Sequence, residues 1–207
     1  MAALIKKDVM LLKKYVPFII VILFALPVAF AAKSSEVNAA QTTLAFAFEV
    51  IYSEFLICRY LAMKEYQYPK AASFLCTLPY TRNMQVASKY LIYLIVFVFC
   101  CVAYWVDTLF VPNLAKLNSG LIIPVLFAVS VLYSIYMPVQ YQFGYDKSKL
   151  IFMFLMIAFP LLVANANMAM VMEILSGITF PVMLISALAA LALSVMVSVK
   201  IFNGKEL

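Results

Sequence analysis

Six long apolar runs limit this chain to very few architectures. They cover roughly residues 16–32, 42–62, 90–111, 121–139, 150–170 and 179–202. A hydrocarbon core about 30 Å thick is crossed by about 20 apolar residues in helical conformation, so each run is about long enough to span. Charged residues make up only 12% of the chain. That is about half the share of a soluble domain, and too little to coat a surface facing water. The expected fold is therefore all-α, a polytopic membrane protein with six transmembrane helices in a single domain over residues 1–207. Pro17, Pro27, Pro124, Pro138, Pro160 and Pro181 fall in or at the ends of the runs. They are read as kinks or helix ends, which neighbouring spans accommodate.

The basic residues orient the bundle. With the N-terminus inside, Lys6, Lys7, Lys13, Lys14, Arg59, Lys64, Lys70, Arg82, Lys89, Lys147, Lys149, Lys200 and Lys205 are cytoplasmic, and only Lys33 and Lys116 are outside. Positive loops stay in the cytoplasm, so both termini are expected there, in the cell membrane. The net charge of +6 then implies contact with the lipid bilayer and no nucleic acid. There is no His, which removes His-ligated zinc, His general bases and Ser-His-Asp triads. Cys58, Cys76, Cys100 and Cys101 form no C-x-x-C pair and read as small apolar core residues.

Residues 1–15 read as an amphipathic helix. Ile5, Val9, Leu12 and Val16 recur at helical spacing, with Lys6, Lys7, Lys13 and Lys14 on the other side. Such a helix is expected to lie in the cytoplasmic interface, its lysines near anionic headgroups. Ala29-Phe30-Ala31 resembles a signal-peptide cleavage site, but the apolar run is longer than such peptides use, and an uncleaved first span is expected.

The connection over residues 63–88 is the longest polar segment, yet Tyr66, Tyr68, Phe74, Leu75 and Leu78 make it too apolar for a solvated loop. Pro69 suits the first turn of a helix. Pro79 ends it, because the residue before a proline avoids helical angles. Thr81 is placed to cap the helix that continues into the third run. The result is a short helix across the cytoplasmic face, of a kind that docks in a groove of another protein.

This segment resembles the first cytoplasmic loop of ABC-2-type transporter permeases, in particular the short six-span bacterial kind. The resemblance rests on Glu65, Leu78-Pro79, Thr81-Arg82, Val86 and Lys89-Tyr90-Leu91. A second stretch, "MPVQYQFGYDKSK", resembles the family's next cytoplasmic loop, with Pro138, Tyr141, Phe143, Gly144 and Lys147 in order. Asn83-Met84-Gln85 departs from a more charged triplet common in that family. The resemblance implies a non-catalytic subunit that pairs with a separate ATPase and with a second permease subunit, as homo- or heterodimer. ATP and Mg would sit on the ATPase partner, with no cofactor on this chain. A coupling helix at about residues 69–76 would seat in that partner. Glu65, Tyr68, Pro69, Lys70, Ser73, Phe74, Leu78, Pro79, Arg82, Gly144 and Lys147 would line the contact. The implied activity is export of an amphipathic peptide, antibiotic or lipid-like substrate. The residues agree on one point independently: with four glycines and no GxxxxGK[ST] run, the chain has no phosphate-cradling loop. Gly144 has a second reading, as a left-handed C-cap after the fourth span.

Glu49 and Glu54 lie inside the second run, about 140° apart on a helix and so not a carboxylate pair. They read either as lining a pathway or as hydrogen-bonded to a Tyr or Asn of another span. A proton- or ion-coupled carrier built on them is the alternative function. Asn165 and Asn167 read as interhelical hydrogen-bonding groups late in the fifth run, and Asp107, beside Trp105, as an interface residue. An intramembrane enzyme is disfavoured, since three scattered Asp and no His give no catalytic cluster.

Overall fold

The computed structural model describes residues 2–32, 39–68, 81–111, 114–165 and 179–204. Among them every regular element is helical. The helices are α1 (Ala2–Leu12), α2 (Val16–Ala32), α3 (Ala39–Gln67), α4 (Arg82–Phe110), α5 (Ser119–Asn165) and α6 (Phe180–Asn203).

Helix α4 shows why these segments pack as they do. Val86, Tyr90, Tyr93, Phe97, Cys100, Tyr104 and Asp107 are buried, at alternating steps of four and three. This is the stripe that a helix turns toward its neighbours. The opposite face is just as oily: Leu91, Leu94, Ile95, Val98, Phe99, Val102, Trp105 and Leu109 are exposed. Exposed apolar area this large and continuous demands a non-aqueous solvent. Helix α6 repeats the pattern, burying Met183, Ala187, Ser194 and Ser198 while Ile185, Leu188, Leu193 and Met196 face outward.

Among the described residues three helices are long and apolar enough to cross a membrane: Asn83–Phe110, Ser119–Ile151 and Phe180–Asn203. The pair Leu4–Leu12 and Val16–Ala29, bent by 73°, makes a fourth if counted as one span. Helix α3 is as long as α4, at 29 residues, but carries Glu49, Glu54 and Arg59 in its middle and is not among them.

The bend between α1 and α2 agrees with a helix that turns before the first apolar run, but α1 does more than lie flat. Leu4, Asp8 and Leu12, one per turn, are buried, and α1 packs on α3 and α4. Val9 and Val16, expected on the same apolar face as Leu12, are exposed. The reason is electrostatic, because the ion pairs of Asp8 pull its own stripe inward. The stretch expected as a loop between the fourth and fifth runs is helical, interrupted only at Gly144.

Between the helices lies a core of Phe46, Val50, Phe55, Tyr90, Tyr93, Phe97, Tyr104, Val129, Tyr133 and Tyr136. Tyr93 stacks on Tyr133 at 4.4 Å between centroids. Phe55 meets Tyr136 edge-on at 5.2 Å. The phenols find partners: Tyr93 with Ser130 at 2.9 Å, and Tyr90 with Ser194 at 2.6 Å and Ser198 at 3.0 Å. Ser194 also donates to the carbonyl of Ser134 at 2.8 Å. These bonds fasten α4, α5 and α6 together in an interior where an unpaired hydroxyl is costly.

Candidate functional site

Five helices meet at one end of the bundle, and Lys89 stands at their centre. Its ammonium pairs with Asp8 of α1 at 3.3 Å and with Glu65 near the end of α3. Lys7 adds a second cation to Asp8 at 3.0 Å. Tyr133 of α5 donates to the Lys89 carbonyl at 3.1 Å. Asn203 of α6 donates to Asn83 of α4 at 3.3 Å. An ion pair this enclosed is held by geometry, since the loss of either partner strands a buried charge.

Local sequence explains how Lys89 arrives there. Thr81 adopts extended angles and its hydroxyl accepts from the Met84 amide at 3.4 Å, which starts α4 as an N-cap. From that start, Lys89 falls one turn after Gln85 and points between α1 and α3. A cleft of about 300 Å³ opens beside it, walled by Leu4, Leu11, Tyr141 and Phe202 and edged by Lys7 and Lys64.

The structure brings both flanks of the 63–88 connection into this one cluster. Glu65 and Tyr68 stand on one side, Gln85, Ser88 and Lys89 on the other. The proposed coupling helix itself, with Pro69, Lys70, Ser73, Phe74, Leu78 and Pro79, lies outside the described residues. The side chain of Arg82 lies outside them too, although its backbone opens α4. Tyr66 and Tyr68 are exposed, and Tyr66 packs on Tyr145 of α5 at 5.4 Å. That contact links the first connection to the stretch around Gly144, the second segment singled out by sequence. Lys147 is exposed there.

Gly144 is not a left-handed cap. Its φ of 73° and ψ of −176° put it in an extended, positive-φ conformation that only glycine occupies readily. A methyl group at that position would meet nothing within 4 Å, so the requirement is for backbone angle and not for space.

Glu49 and Glu54 are both sealed in the core, at 0% and 1% exposure. No hydrogen-bond partner reaches any of their four carboxyl oxygens, so the interhelical bond expected from sequence is not made among the described residues. Asp107, expected at an interface position, is buried against protein close to the end of α4 at Phe110. It ends the stripe of α4 that faces α3, while Trp105 remains outward. Asn165 closes α5, with its side chain outside the described residues, as is Asn167 altogether.

Sequence reasoning missed Asp8. Its signal was an acid in the Leu4–Asp8–Leu12 stripe of an otherwise lysine-rich helix. It also missed Ser194 and Ser198, two hydroxyls one turn apart on an oily helix, a spacing that marks a helix-packing face.

A family model described as "ABC-2 family transporter protein" matches residues 3–203. The chain belongs to the ABC-2 transporter permease family. It is thus a membrane protein and a transport component, the non-catalytic membrane subunit of an ABC system, whose membership implies an ATPase partner. No curated protein and no solved structure matches the chain. In the permease, the Lys89 cluster sits where the two flanks of the implied coupling segment meet the N-terminal helix.

Proposed function

We propose that this permease is the membrane half of an ATP-driven exporter. In this reading it has six spans, both termini are cytoplasmic, and the segment over residues 69–76 seats in a separate ATPase subunit. The α3 helix is the second span, tolerated in lipid because Glu49 and Glu54 face protein instead of acyl chains. A second permease subunit completes the pathway, and ATP and Mg act on the partner.

The observation that carries this is the convergence on Lys89. A push on the connection is delivered to the ends of α3 and α4, and the Asp8–Lys89–Glu65 ion pairs extend it to α1. Three helices then move as one body, which is what a transmission needs. Small displacements at such a junction grow into rigid-body motions because packed interfaces switch between discrete arrangements. The cargo class that suits short outer connections and oily spans is an amphipathic peptide, antibiotic or lipid-like molecule taken from the inner leaflet or cytoplasm.

The test is reconstitution of the permease with its ATPase in liposomes. The expected result is ATPase activity that rises with permease and cargo export that stops when the partner's phosphate-binding lysine is replaced. Export that continues without ATP under a proton gradient would instead establish the carrier reading built on Glu49 and Glu54.

A further inference from the structure

The core of α3 holds two acids that coupling to an ATPase does not use. Glu49 and Glu54 are among the largest fully buried side chains of the protein. Among the described residues all four of their oxygens lack a hydrogen-bond partner. Ser53, between them in sequence, is also fully buried, beside the Cys100 thiol of α4.

The groups facing them are acids, phenols and thiols. Glu49 is within electrostatic reach of Asp107, Cys100, Cys101 and Tyr104 of α4. Glu54 is within electrostatic reach of Cys58 on its own helix, Cys100 and Tyr93 of α4, and Tyr133 of α5. From α1 and α2 no titratable group faces either carboxyl among the described residues. No lysine or arginine forms an ion pair with them there.

An ionised carboxylate with no donor and no counter-ion is not tolerated in such surroundings; the group neutralises instead. A second permease subunit cannot supply the missing cation, because both side chains are enclosed within one chain. A metal ion is a poor candidate, since no set of three His, Cys, Asp or Glu gathers among the described residues. A proton needs no cavity and no ligand set.

We propose that Glu49 and Glu54 form a proton-binding site inside the bundle, occupied while α3 is packed against α4 and α5. The site is silent as long as the seam stays closed. A movement that lets water reach it releases the protons and leaves two fixed negative charges within the spans. Proton occupancy and the opening of this seam are thereby linked, in the sense that acid holds the seam shut.

The proposal is independent of the ATPase, so it is tested on the purified permease alone, in lipid nanodiscs. Infrared spectra at neutral pH are expected to show a protonated-carboxyl carbonyl band. This band should lose intensity in E49Q, in E54Q, and further in the double variant, with D107N separating any share of Asp107. If the variants lose only carboxylate bands, the proposal is overturned. Should the Gln variants fail to fold, a pH titration of the unaltered chain decides. A carboxyl band that persists through neutral pH supports the site. Its complete conversion in the range of exposed acids, around pH 4–5, refutes it.

Discussion

Replacing Lys89 by Met should free α1 from the bundle, and the size of the effect can be worked out. Asp8 is 1% exposed and Lys89 14%. Removing one member of a pair that deeply enclosed destabilises by about 3–5 kcal/mol, because the other charge is stranded. One feature of the site lowers that figure: Lys7 remains 3.0 Å from Asp8 and still partly offsets its charge. The Glu65 arm, 41% exposed, adds less than about 1 kcal/mol. We expect a net loss of about 2–3 kcal/mol for K89M. D8N should lose less, since it leaves Lys89 paired with Glu65. The assay is a double-mutant cycle on D8N, K89M and D8N/K89M, read by denaturant unfolding in detergent and by a spin-label distance between α1 and α3. A coupling energy of about 1–3 kcal/mol is expected for a direct pair. If the two single effects simply add, Lys89 does not hold α1 and the hub argument is wrong.

Three further outcomes follow from particular contacts. G144A should cost about 1–3 kcal/mol through its positive φ. G204A, where φ is −78°, should stay within about 0.5 kcal/mol; thermal unfolding of the two variants checks the contrast. Y90F removes the hydroxyl that meets Ser194 and Ser198 and should lower stability by about 1–2 kcal/mol. Y93F removes the Ser130 bond and should cost about 1 kcal/mol; an effect near zero for both would mean that the ring stack alone fastens these helices.

Hydropathy made much of the fold legible, and the reason is solvent. Runs such as those of α4 and α6 are oily on every face, which only lipid tolerates, so helices long enough to span could be placed without knowing any neighbour. Thr81 was legible because capping is local: the hydroxyl, the extended angles and the following amide are all within four residues. Gly144 was marked as special, but its conformation was misjudged, because glycine permits several positive-φ states and the surrounding chain chooses among them. What stayed hidden depended on partners distant in sequence. Asp8 meets Lys89 across 81 positions, and Tyr90 meets Ser194 across 104. Trp105 marked Asp107 as an interface residue, but that it also packs inward depends on its place in the α4 stripe. The inward stripe of α1 was misassigned for the same reason: counting apolar residues favoured Val9, while the ion pair favoured Asp8.

The central claim is that an outside motor acts on this chain through the connection between α3 and α4. The most direct measurement is site-specific cross-linking in the assembled transporter, from a photoreactive residue placed at Phe74 in the connection and, as a control, at the outward-facing Ile185 of α6. The account predicts an adduct with the ATPase subunit from Phe74 and none from Ile185, with the Phe74 adduct changing yield when ATP is added. An assembly that exports cargo while Phe74 gives no adduct with the ATPase in any nucleotide state would contradict it.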